Sequence, residues 1–102
     1  MRTPIHPGEI LADELEALNL SASELARRIK VPANRITQII HGHRAVTADT
    51  ALRLGRFLGT SALFWINLQK LYEIDLAAQS IHRDLDSILP FDQPQGLASA
   101  SP

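Results

Sequence analysis

The chain has 102 residues, of which 45% are hydrophobic, with 10 Lys and Arg against 11 Asp and Glu and no Cys. That length and apolar content describe one folded domain with a modest core; they exclude a disordered chain, and the lack of Cys excludes a disulfide scaffold, a thiolate metal site and a Cys nucleophile. No run of about 18 apolar residues is available to cross a membrane, and Met1-Arg2-Thr3-Pro4-Ile5-His6-Pro7 lacks the apolar block of a signal peptide, so a small soluble cytoplasmic protein is expected.

Nearly every segment reads as helix. Pro7 suits a first helical position, where its missing N–H leaves nothing unpaired. Ile10, Leu11, Leu15 and Leu18 then recur at spacings of three and four until Asn19 stops the run. Ser21-Ala22-Ser23-Glu24 has the form of a capping box, with Ser21 accepting from the backbone and Glu24 reaching back. The helix it opens carries Leu25, Ala26 and Ile29 and must end before Pro32. A third helix, about Pro32 to Ile40, turns Ile36, Ile39 and Ile40 inward, with Gly42 as its stop. Thr47 caps a fourth, with Asp49 in its first turn, which runs through Ala51, Leu52, Leu54 and Leu58 to Gly59.

Thr60-Ser61 opens a fifth and longest helix, to roughly Ile81. Its apolar residues cover far more than one stripe, and only Gln69, Glu73 and Ser80 form a coherent polar face. Such a helix needs two surfaces to pack on, and the domain supplies one. The second is a further copy of the chain or a foreign protein; for a further copy the candidate contacts are Trp65, Leu68, Tyr72 and Leu76. Residues 5–82 make the folded unit and 83–102 a tail, expected to be disordered from about 93, where the composition becomes QPQGLASASP.

The small net charge conceals an asymmetry. Residues 1–26 carry one base and five acids, residues 27–56 seven bases and one acid, and residues 57–102 two bases and five acids. A basic middle between acidic flanks fits a polyanion such as duplex DNA, or a solvated face paired with those flanks.

Residues 22–40, ASELARRIKVPANRITQII, separate the two readings. Two short helices meet at a tight turn with Leu25, Ala26, Ile29, Val31, Ile36 and Ile39 inward, the spacing of a helix-turn-helix of the phage-repressor-like kind. Lys30 stands where Gly is usual, and a positive φ there costs up to about 1 kcal/mol. With the isoleucines inward, Ala33, Asn34, Arg35, Thr37 and Gln38 face out. Asn and Gln match the adenine edge, Arg matches guanine, and an Ala or Thr methyl can meet the thymine methyl. No acid occurs from Val31 to Thr47 to repel phosphate. Ser21 and Ser23 at the preceding helix start, and His41, His43 and Arg44 after the reading helix, are candidate phosphate contacts. Arg53 and Arg56 share a helical face and serve surface ion pairing or DNA equally well.

His41-x-His43 lacks a third ligand at convincing spacing, so no metal or cofactor is expected. There is no HExxH, no phosphate-cradling Gly-rich loop and no nucleophile elbow, so no enzyme is expected either. The lone His6 and His82 read as structural.

The same core, with His6-Pro7-Gly8-Glu9-Ile10-Leu11 before it and Thr47 to Leu54, Gly59-Thr60-Ser61 and Phe64 to Gln69 after it, resembles the HigA-type antitoxins of bacterial toxin–antitoxin modules. The resemblance covers roughly residues 5–78. It implies a homodimer on a palindromic double-stranded operator that represses its own operon, located at the nucleoid. It also implies a small basic toxin partner similar to RelE-type mRNA interferases, and places Asn34, Arg35, Thr37 and Gln38 at base-facing positions. The expected architecture is an all-α, five-helix phage-repressor-like helix-turn-helix domain with a long C-terminal helix. A stand-alone repressor without a toxin is the alternative within the fold, and a protein-only interaction module the alternative outside DNA binding.

Overall fold

A computed structural model describes residues 2–92; the part of the tail from residue 93 lies outside the described residues. Six helices follow in order: α1 (Pro7–Ala17), α2 (Ala22–Ile29), α3 (Ala33–Ile40), α4 (Ala48–Leu58), α5 (Ala62–Ser80) and α6 (His82–Ser87). The described residues hold no strand. The architecture is thus all-α, with one helix more than the five expected: α6, a short turn of helix in the stretch assigned to the tail. Pro32 is the residue before α3 rather than its first.

Three of the helix ends share one device. The N–H of Leu20 bonds the Leu15 carbonyl while Asn19, at φ 53°, bonds Glu16. Val31 bonds Ala26 while Lys30, at φ 64°, bonds Arg27. His43 bonds Gln38 while Gly42, at φ 79°, bonds Ile39. Each pair satisfies carbonyls that the helix leaves open, and each needs one left-handed residue. The first also explains why Leu18 is exposed although its spacing suggested burial: Asn19 reverses the chain and Leu20 packs on the core instead.

The capping box read at Ser21 is half made. Ser21 Oγ accepts from the Glu24 N–H at 3.0 Å, but the Glu24 carboxylate turns to Arg27 and Arg28, where charge-assisted bonds are available. A reciprocal box forms at α1 instead. His6 Nδ1 accepts from the Gly8 N–H at 2.9 Å, and the His6 N–H donates to Glu9 Oε2 at 3.3 Å.

The core gathers Leu11 and Leu15 from α1, Leu25, Ala26 and Ile29 from α2, Ile36 and Ile39 from α3, Val46 before α4, Ala51 and Leu54 within it, and Trp65 from α5. Burying a side chain the size of Ile36 or Ile39 contributes about 1.5–3 kcal/mol. Because both lie on one side of an eight-residue helix, they fix the rotation of α3 about its axis. Ile40 is only half-buried, and Leu52 is exposed. The start of α1 lies so close to the end of α3 that a Cβ at Gly8 would stand 1.8 Å from the Ile39 carbonyl oxygen. Only glycine permits that approach.

Helix α5 packs along α4 and against α1. Trp65, expected at an interface between copies, is 1% exposed, and its indole N–H donates to Thr60 Oγ1 at 2.9 Å. It is a core residue, because the side of α5 that meets α4 includes it. Gln69, expected on a polar face, is also buried: its Oε1 accepts from the Val46 N–H at 2.8 Å and its Nε2 donates to Glu73 at 2.9 Å. Of the other expected interface residues, Leu76 is exposed, while Leu68 and Tyr72 are half-buried. Apolar exposure continues along the chain at Leu71, Ile74, Ile81, Leu85, Ile88, Leu89 and Phe91.

Candidate nucleic-acid interface

With Ile36 and Ile39 inward, α3 turns Ala33 and Asn34 to solvent and leaves Arg35, Thr37 and Gln38 half-exposed. All five expected base-reading residues therefore lie on the outer side of one helix. No side chain caps the first turn of α3, since Pro32 precedes it. The Thr37 hydroxyl donates back to the carbonyls of Asn34 and Ala33 at 3.3 and 3.4 Å. That occupies its proton and leaves the methyl group as its other feature.

Two of the side chains expected to read bases are held by partners that spacing did not reveal. Arg35 Nη1 donates to Asp49 Oδ1 at 3.0 Å. The same oxygen accepts from Arg53 Nε at 2.7 Å, and Arg53 Nη1 donates to the carbonyls of Ile29 at 2.8 Å and Lys30 at 3.3 Å. The two arginines, Arg53 first, hold the Asp49 carboxyl below the usual carboxylate range. Arg53 thus binds the end of α2, which offsets the cost of the left-handed Lys30, and belongs to ion pairing within the domain. Gln38 Oε1 accepts from Arg44 Nε at 2.8 Å, so an expected phosphate contact also fixes an expected reading amide. The Asp49–Arg53 pair is readable as an i,i+4 spacing; Arg35–Asp49 is not.

The expected phosphate contacts bracket α3. Ser21 caps α2 as an acceptor and keeps its hydroxyl proton for a further partner. Ser23, His41, His43 and Arg44 are exposed. The rings of His41 and His43 lie 6.3 Å apart; among the described residues no group of three or more His, Asp or Glu is placed to hold a metal ion.

The basic middle is partly neutralised within the domain. Arg27 and Arg28 pair with Glu24, whose carboxyl the two guanidinium groups hold down to about 2. Arg35 and Arg53 pair with Asp49. Among the described residues Lys30, Arg44 and Arg56 make no ion pair.

His6 reaches the site from behind. Buried, it sets its ring edge-on to Tyr72 at 4.8 Å, with the Gly42 backbone against it. Burial pushes its pKa down, opposed by Glu9 and by the nearby Arg44 backbone. The loop that carries His41, His43 and Arg44 is fastened at its far end, where the Val46 N–H donates to Gln69.

A family model described as helix-turn-helix matches residues 11–65. Virulence-associated protein I of Dichelobacter nodosus is 44% identical over 87 residues, which are 84% of this chain and 80% of that protein. The solved structure of a HigA-family addiction module antidote protein from Coxiella burnetii is 48% identical, covers 89% of this chain and 100% of its own, and superposes with a TM-score of 0.84. The structure of Pseudomonas aeruginosa antitoxin HigA with the higBA promoter is 42% identical, covers 88% of this chain and 100% of its own, and has a TM-score of 0.83.

Proposed function

The chain belongs to the helix-turn-helix family, and from that membership we propose that it is a HigA-type antitoxin which binds operator DNA as a homodimer, represses its own operon and neutralises a small basic toxin of the RelE-like mRNA interferase class. One observation carries the DNA-binding part: Ile36 and Ile39 lock α3 so that an acid-free face of Ala33, Asn34, Arg35, Thr37 and Gln38 looks outward. Asn34 and Gln38 select adenine, Arg35 selects guanine, and the Ala33 and Thr37 methyl groups meet thymine. Ser21, Ser23, His41, His43 and Arg44 hold phosphates, which supply most of the affinity and its salt dependence.

Two copies meet through α5, with Leu68, Tyr72 and Leu76 in the contact, and set their reading helices about 34 Å apart on a palindromic duplex. No helix among the described residues is long and apolar enough to cross a membrane, and the protein works at the nucleoid in the cytoplasm.

The test pairs fluorescence anisotropy on the DNA upstream of the chain's own gene, across a salt series, with co-expression of the neighbouring short gene. Operator binding that weakens steeply with salt and outcompetes random duplex, together with co-purification and growth rescue, is the expected result. Operator binding without rescue would leave a stand-alone repressor. Equal affinity for operator and random duplex would overturn the base-reading face.

A further inference from the structure

We propose that Asp49 is a positioning residue for sequence reading: its carboxylate, anchored by Arg53, holds the Arg35 guanidinium so that the remaining donors of Arg35 face a base edge. The proposal rests on Arg35 reading DNA, as set out above, and adds what makes that reading selective.

An arginine on a helix surface has several rotatable bonds, and fixing it against a base costs side-chain entropy at the moment of binding. Here the cost is met in the free protein. Asp49 Oδ1 takes one N–H from Arg35 Nη1 at 3.0 Å and one from Arg53 Nε at 2.7 Å. Arg53 is itself fastened to the Ile29 and Lys30 carbonyls at 2.8 and 3.3 Å, so the carboxylate is tied to the end of α2. The Arg35 side chain is only 29% exposed in this arrangement. With Nη1 engaged, Nε and Nη2 remain, two parallel donors on one edge that match guanine O6 and N7.

An acid beside a DNA-binding surface otherwise has one effect, repulsion of phosphate. The two effects have opposite signs in a single variant. Asp49→Asn keeps the shape and removes the charge, so random-duplex affinity should rise severalfold while operator affinity falls. The ratio of the two should drop about tenfold, a share of the discrimination that one bidentate contact gives. On a panel of operators with single base-pair changes, Asp49→Asn should flatten the preference at the same base pair as Arg35→Ala and nowhere else. The double variant Asp49→Asn with Arg35→Ala should lose no more than Arg35→Ala alone. Asp49→Ser, which suits the first turn of α4, repeats the test if the first variant unfolds early by circular dichroism.

Three results would overturn the proposal. Unchanged affinity for both duplexes makes Asp49 idle, equal gains on both make it a lock that sequesters Arg35, and an even loss across all operator variants makes it a support of the fold. A wild-type protein without operator preference, or an Arg35→Ala variant that keeps it, would remove the base-reading assignment itself.

Discussion

The outer sides of α3 and α5 are opposites. On α3 the exposed residues are short and polar, and two of them are already held by neighbours in the same copy, Arg35 by Asp49 and Gln38 by Arg44. On α5 the outer side sets large apolar side chains among Asn67 and Lys70, with Ile74 at 61% exposure and Leu63 at 62%, and nothing within the described chain covers them. A polar surface organised in the free protein suits a partner with fixed hydrogen-bonding groups, because little ordering remains to be done on binding. An apolar surface left uncovered suits association by area. One copy therefore organises the outer face of α3 alone and leaves its α5 face uncovered.

Five variants test that contrast. The largest effect is expected at Gly8→Ala, where the new methyl meets the Ile39 carbonyl oxygen. The start of α1 must then move away from the end of α3. Denaturant titration should show a loss of about 3 kcal/mol, together with weaker operator binding because α3 loses its backing.

Next, Arg35→Ala should weaken cognate operator binding, and Gln38→Ala should relax the choice at one base pair, each by about 1–3 kcal/mol with thermal stability nearly unchanged. Equal losses for Gln38→Ala on operator and random duplex, measured by anisotropy, would make it a phosphate contact. Leu76→Asp addresses the other face, at one of the proposed contacts. Sedimentation velocity should show the dimer giving way to monomer while circular dichroism stays helical, and operator affinity should fall because the two half-sites are no longer bound together.

The smallest effect concerns pH. Burial lowers the pKa of His6 in the folded protein, whereas in the unfolded chain it titrates near about 6.5. Below that value the unfolded chain takes up the proton first, so the contribution of His6 to stability is present at neutral pH and is lost on acidification. The wild-type Tm should decline between about pH 7 and pH 5, and His6→Asn, which keeps a capping side chain, should flatten the decline. The carboxyls of Glu24, Asp49 and Glu73, all held low by their partners, release their contributions only at more acid pH, below their ordinary range.

Helix starts and stops were legible because their causes lie within a few residues. Ser21, Thr47 and Ser61 each accept from the N–H three residues on, and Asn19, with its short amide, and Gly42, with no Cβ, tolerate the left-handed turn they take. The apolar spacing of α2 and α3 likewise fixed which residues of α3 face out. Local readings failed where an alternative partner stood nearby. Glu24 chose two arginines over the backbone, and the reciprocal cap appeared at His6, a residue type that spacing gives no reason to choose.

The helices, the helix-turn-helix and the polar outer face of α3 follow from the order of residues, since each depends on a period and on neighbours along the chain. Which side of α5 is core follows from packing, because the apolar residues of that helix spread over more than one stripe and its crossing over α4 and α1 selects Trp65 and Gln69 for burial. Packing also sets what holds the outer face of α3 in place. Arg35 meets Asp49 14 residues away, Val46 meets Gln69 at 23 and Arg53 meets Ile29 at 24. Contacts at such separations follow from how helices pack, not from any pattern a short window of sequence contains.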